Sequence, residues 1–366
     1  MKPEDKFILE ICKYVDVNRE SVAELLTIDM DFSYVLGKLM INRLGALAFY
    51  NIQRLGLTQG LNREFLTPLK DVYYSCKKKN AAFQGLLCDF CGMLNRSEIK
   101  TEQLKYALLK GSALSQVYPE GTRTCNDIDV LTDRNGATVL SEILLGNGFV
   151  QGWVRNGILF EAKRSEIVSA VLNRGETIPF VKKTGIEECP IFEVDVNLSL
   201  DYKADRDSSR INEMLLSAQP SITTAASPLM SLAKEDFIIH LCCHIYKEAT
   251  IYNWVRFGRD QGLYKYIDVY SCLYNENDLF FERLIDRIRR LGLSHECEYV
   301  FYVLKEMYSE PFTELFEIIS GGKTNTFNII YDPRSKKRYS FSQPIVEWVF
   351  NNKKRGHLCE YFDETE

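Results

Sequence analysis

Apolar residues recur at helical spacing over the first hundred positions: Val35, Leu36, Leu39 and Met40, then Phe83, Leu86, Leu87, Phe90 and Leu94. Few Gly or Pro residues interrupt this stretch. The texture changes near residue 104. LKYALLKG, NDIDVLTD, GFVQGWVRNGILFEA and PIFEVDVNLSL are short strand-like runs bounded by Gly, Asn and Asp. SALSQVY, between the first two, and GATVLSEILLG, between the next two, read as helices. From Ser227 the pattern turns helical again, with Ser227 as a candidate N-cap and Pro228 in the first turn. Leu229, Ala233, Phe237, Leu241 and Ile245 follow at four-residue spacing. Further helices are predicted over 260–274, 278–291 and 295–307. These patterns predict an α+β protein, with a small mixed-sheet core at 104–224 between helical regions at 1–103 and 225–320. A locally basic tail follows at 321–366, rich in Lys and Arg from Arg334 to Arg355.

Composition narrows the picture. With 366 residues, 46% hydrophobic and 26% charged, the chain can bury a core without staples. A net charge of −5 argues against a protein that coats nucleic acid. No run of eighteen uncharged apolar residues suggests a membrane span. The start, MKPEDKFILEICKYV, reads as an amphipathic helix rather than an export signal. Eleven scattered cysteines then read as reduced thiols, and cytoplasm is the expected compartment.

The chemistry concentrates in the mixed segment. Side chains alternate along a strand, so Asp127 and Asp129 share one face while Ile128 and Val130 face the core. Two carboxylates so close repel unless a cation intervenes. On a later strand Glu193, Asp195 and Asn197 oppose Val194, Val196 and Leu198. If the two strands pair, their acidic faces converge on one cleft suited to Mg²⁺, with Mn²⁺ an alternative. Gly111–Ser112 ends one strand and opens a helix, where backbone and hydroxyl can meet a phosphate. Lys110 and Arg123 flank that point and can neutralise a triphosphate.

G-S, then D-x-D, then a lone Asp on a following strand resembles the nucleotidyltransferase superfamily that includes DNA polymerase beta and kanamycin nucleotidyltransferase. LKGSAL, YPEGTRTCNDIDVL, FEVDVNLSL, HLCCHIYKE and LYKYIDVY more closely resemble a bacterial group of uncharacterised nucleotidyltransferases, over about residues 30 to 300. Members of that group often carry His where this chain has Asn197. The resemblance implies that Asp127 and Asp129 bind two Mg²⁺ ions. It implies that Asp195 holds the catalytic ion and helps activate an acceptor hydroxyl. That hydroxyl attacks the α-phosphorus of an NTP, and pyrophosphate leaves.

Weaker signals surround this core. His240 and His244, with Asp236 and Lys247, form a polar stripe on the helix after Ser227. The stripe reads as packing or as an acceptor-binding wall, with Lys234 near the triphosphate. Zinc is disfavoured, since Leu241 stands where a metalloprotease would have Glu. Cys88-x-x-Cys91 and Cys242–Cys243 read as core thiols, Lys77–Lys79 as a solvated helix face. SGGKT at 320–324 lacks the Gly that a P-loop needs five residues before Gly322. The acceptor is expected to be a small molecule or a peptide hydroxyl rather than nucleic acid. Two other functions compete: a D-x-D glycosyltransferase using a nucleotide sugar, and an inactive nucleotide-binding module.

Overall fold

A computed structural model of the chain describes all residues except 98–103, 201–208, 226, 310, 322–326 and 362–366. Most of the SGGKT stretch therefore lies outside the described residues. The chain divides into two compact units. A helical unit comprises Met1–Lys70 and Ile238–Glu366, and an α/β unit comprises Asp71–Phe237.

Four helices open the chain: α1 (Pro3–Ile11), α2 (Arg19–Leu25), α3 (Phe32–Ile41) and α4 (Gly45–Arg54). Asn18 caps α2 by accepting from the Glu20 and Ser21 amides at 2.8 and 3.1 Å. Asp31 caps α3 through Ser33 and Tyr34 at 2.9 and 3.0 Å. The next helix, α5 (Arg63–Arg96), buries the predicted series Phe83, Leu86, Leu87, Phe90 and Leu94.

The α/β unit is built on β1 (Tyr106–Leu108), α6 (Lys110–Leu114), β2 (Ile128–Thr132), α7 (Arg134–Gly146), β3 (Val150–Arg155), β4 (Ile158–Glu161), α8 (Arg164–Arg174), β5 (Phe180–Lys183), β6 (Ile191–Asn197), α9 (Ser209–Leu216), β7 (Gln219–Ile222) and β8 (Leu229–Ser231). Among the described residues its strands form one eight-stranded sheet ordered β4-β3-β5-β6-β2-β1-β8-β7. β2 pairs in parallel with β6 and β1 with β8; the other neighbours are antiparallel. Ile128, Val130, Val194 and Val196 pack with Leu140, Phe149, Phe180 and the α5 series in one core. At about 25 cal/mol per Å², burying each such side chain contributes on the order of 2 kcal/mol.

Two local predictions need correction. The run GFVQGWVRNGILFEA is not one strand but a β3–β4 hairpin. Asn156 and Gly157 have φ of 51° and 74°, the doubly left-handed conformation of a two-residue type I′ turn. Ser227 does not cap a helix. Leu229–Ser231 extends beside β1, and Ser227 instead takes hydrogen bonds in a turn, accepting from Asn95 Nδ2 at 2.9 Å. The following helix, α10 (Lys234–Thr250), begins seven residues later. An unsatisfied β1 edge outweighs the capping preference of one serine.

The helical unit continues from α10 through α11 (Tyr252–Arg256), α12 (Leu263–Leu273), α13 (Asp278–Leu291), α14 (Ser294–Tyr308) and α15 (Phe312–Ser320). Asn277 caps α13 through the Phe280 amide at 2.9 Å, and Gly292 at φ 64° ends it. The tail folds into β9 (Ile329–Tyr331), β10 (Arg338–Ser340), α16 (Ile345–Phe350) and β11 (Cys359–Tyr361), with the strands in a small antiparallel sheet. Among the described residues no helix is long and apolar enough to cross a membrane.

Candidate active site

The parallel β2–β6 ladder puts Asp129 directly beside Asp195, with Ile128 beside Val194 and Val130 beside Val196. The valines and Ile128 are fully buried, so the acids occupy the opposite face. Asp127 lies one residue before β2 on that same face. Asp129 is only 4% exposed, while Asp127, Glu193 and Asp195 are half-buried.

The turn from β1 to α6 supplies the counter-charge. The Leu109 amide donates to the Asp129 carbonyl at 2.9 Å, extending the β1–β2 pairing one step. That step brings Lys110 to its neighbour, and Lys110 Nζ lies 2.7 Å from Asp129 Oδ1. Lys110 adopts φ +45°, a left-handed conformation that costs a non-glycine residue on the order of 1 kcal/mol. Burial pulls its ammonium pKa down, but Asp129, with help from Asp127 and Asp195, more than reverses this and leaves it raised.

One lysine does not balance the cluster. Burial raises the Asp127 pKa and Asp129 raises it further, against smaller opposing effects of Lys110 and Arg123. Asp195 is raised well above the ordinary range by burial, then by Asp129, Glu193 and Asp127. Glu193 is raised by burial, Asp127 and Asp129. Among the described residues the site therefore holds more negative charge than it can comfortably keep ionised, which is the condition a bound cation relieves.

Gly111 is required by what lies beneath it. A Cβ there would sit 2.4 Å from Cys125 Sγ and 3.0 Å from Cys125 Cβ. Cys125 is held in turn by donating its thiol to the Asp127 carbonyl at 2.9 Å. The Ser112 hydroxyl is fully buried, with no hydrogen-bond partner among the described residues, a state costing about 1–3 kcal/mol. Arg123 is half-buried and donates to the Thr124 carbonyl at 2.7 Å.

A family model described as uncharacterised nucleotidyltransferase matches residues 30–309. The chain belongs to that family. No curated protein matches it.

In this nucleotidyltransferase the structure brings Asp127, Asp129, Asp195, Lys110, Gly111 and Ser112 into one neighbourhood, and Arg123 acts electrostatically on Asp127. Lys234 is exposed at the first position of α10. His240, His244 and Lys247 fall in the helical unit. There His240 is 5% exposed, its ring stacked near that of His244, while His244 reaches Glu248 at 3.4 Å. Asp236 is buried and accepts from Ser217 Oγ at 2.5 Å.

Two placements were not legible in the sequence. Cys125 shapes the floor under Gly111, and Lys79, read from the sequence as part of a solvated helix face, reaches Asn126, next to Asp127. Both depend on long-range contacts that no local spacing encodes. All eleven cysteines are free thiols. Among the described residues no three His, Cys, Asp or Glu side chains form a ready-made metal cage. Magnesium rarely uses one: it keeps waters and shares its ligands with substrate phosphates.

Proposed function

We propose that the chain transfers a nucleoside monophosphate from an NTP to a hydroxyl of a small molecule or peptide, releasing pyrophosphate, by the chemistry of the polymerase beta superfamily. The observation that carries this is the in-register pairing of Asp129 with Asp195, with Lys110 on Asp129 and uncompensated negative charge around them. The mutually repelling oxygen donors fit magnesium or manganese, and Asp127, Asp129 and Asp195 are the residues that would hold two such ions. When bound, the ions would supply charge neutralisation at the triphosphate and at the attacking and leaving oxygens.

The protein's own groups do the rest. Lys110 keeps Asp129 oriented between turnovers. Gly111, packed on Cys125, shapes the turn that carries Lys110 to Asp129, and backbone amides of that turn would meet a phosphate oxygen. Arg123 adds positive charge near the triphosphate. Asp195 accepts the acceptor hydroxyl's proton as the new O–P bond forms. The α–β phosphoanhydride bond breaks, and its electron pair leaves with pyrophosphate.

A small acceptor is supported by the net charge of −5 and by the absence of a dense basic stripe in the 104–224 sequence. The test is to incubate the protein with each labelled NTP and magnesium in a cell extract, follow pyrophosphate, and identify the labelled product. Metal-dependent release that disappears in Asp195→Asn is expected. Failure of every NTP to release pyrophosphate with any extract fraction would overturn the proposal. A steep loss of transfer between low and physiological salt would replace the small acceptor with a nucleic acid.

A further inference from the structure

The helical unit contains a cleft of about 810 Å³, walled by the turn after α3, the segment Trp254–Lys265 and the stretch Val349–Gly356. Seven lining residues are Lys or Arg and two are carboxylates, in a protein whose overall charge is negative. Both carboxylates are already engaged. Lys354 Nζ lies 2.6 Å from Asp260 Oδ2, and Lys265 pairs with Glu248; all four residues are buried. Arg43, Arg256, Arg259, Lys353 and Arg355 remain exposed, and none forms an ion pair among the described residues.

Three of the five are held in place by contacts around the cleft. Burying the Lys354–Asp260 pair costs desolvation, so it is a poor source of stability on its own. Its positional effect is clear: it pins the tail turn Lys354–His357 and so sets Lys353 and Arg355, the chain neighbours of Lys354, on the cleft. Arg43 is held over the Tyr264 ring at 5.6 Å, facing the same space. Five cations that line one cleft and are unpaired among the described residues repel one another unless an anion joins them. The volume falls within the range of small-molecule sites. Four of the five are arginines, whose planar forks match phosphate oxygens two at a time.

We infer that this cleft binds a compact anion bearing at least two phosphate groups, at a site separate from the carboxylates of β2 and β6. An extended RNA strand is the less fitting ligand, because its charge is strung along a backbone while these cations surround one cavity.

The experiment is calorimetric titration of inorganic tripolyphosphate into the full chain at low salt with EDTA. Chelation removes the divalent ions that would offset the carboxylates of the acidic site, which then repel a phosphate. One saturable site is expected, weakening as salt rises toward a Debye length of about 8 Å. Arg259→Ser combined with Arg355→Ser should weaken binding at least about tenfold. Lys6→Ser combined with Lys70→Ser removes the same charge elsewhere and should leave affinity unchanged. All four positions are exposed, and circular dichroism checks the fold; should the first pair melt early, Arg256→Gln alone must still weaken binding. Absence of saturable binding at millimolar tripolyphosphate would overturn the inference, as would equal losses in both double variants. Tighter binding of a decamer of uridylate than of tripolyphosphate would also overturn it, in favour of an RNA surface.

Discussion

The β2–β6 acidic face and the polar stripe of α10 are built alike, with polar side chains at the repeat of their element, yet their charges are handled in opposite ways. On α10 the buried Glu248 pairs with Lys265 and lies 3.4 Å from His244, and the buried Asp236 accepts from Ser217 Oγ. On β2 and β6, Asp127, Glu193 and Asp195 crowd around an Asp129 that already occupies the nearest lysine. Matched charges serve the fold. A retained imbalance costs stability and makes sense only if something outside the chain resolves it.

The sharpest way to break this contrast is to remove the acids. Asp127→Ala, Asp129→Ala and Asp195→Asn should each lower metal-dependent pyrophosphate release by at least about 10²-fold, the scale of losing a charge-stabilising group. Asp195→Asn should still bind NTP, and wild-type turnover in any of the three would refute the assignment. Their metal-free stabilities should diverge. Asp127→Ala and Asp195→Asn relieve repulsion and raise the melting temperature, whereas Asp129→Ala strands Lys110 and lowers it.

On the balanced side, Glu248→Gln leaves Lys265 buried without its carboxylate and should destabilise by about 3 kcal/mol in denaturant unfolding. A change below the error of the measurement would show that the pair is structurally idle. Gly111→Ala should cost about 1–3 kcal/mol by driving a methyl into Cys125 Sγ, and lower activity too. Adding Cys125→Ala removes the closest atom but leaves Cβ at 3.0 Å, so stability recovers only in part. No recovery would place the strain elsewhere.

The smallest effect concerns pH. The folded pKa values of Asp127, Glu193 and Asp195 are raised, so between the ordinary carboxylate range and those higher values the folded state binds more protons than the unfolded. Their contribution is fully present below the unfolded pKa and lost as pH rises through the folded one. Melting of the metal-free protein should therefore show a decline with rising pH in this window that is shallower in Asp195→Asn. An unchanged slope would mean that Asp195 is not among the repelling groups.

Much of this was legible in the sequence because it is local. Alternation along NDIDVL and FEVDVNL assigned the acids to one face, and the buried α5 series follows from 3.6-residue periodicity alone. LKGSAL, YPEGTRTCNDIDVL and FEVDVNLSL carried the likeness to the family of uncharacterised nucleotidyltransferases without coordinates. Tertiary structure decided what depends on partners far away in the chain. Ser227 looked like a helix cap until the open edge of β1 drew Leu229–Ser231 into the sheet. Lys110 was one cation among several until the β1–β2 register placed it on Asp129, and nothing near Gly111 announces Cys125. Residues 1–70 and 238–366 join one compact unit though most of two hundred residues separate them. Periodicity tells a residue which way it faces; only the packed chain tells it what it faces.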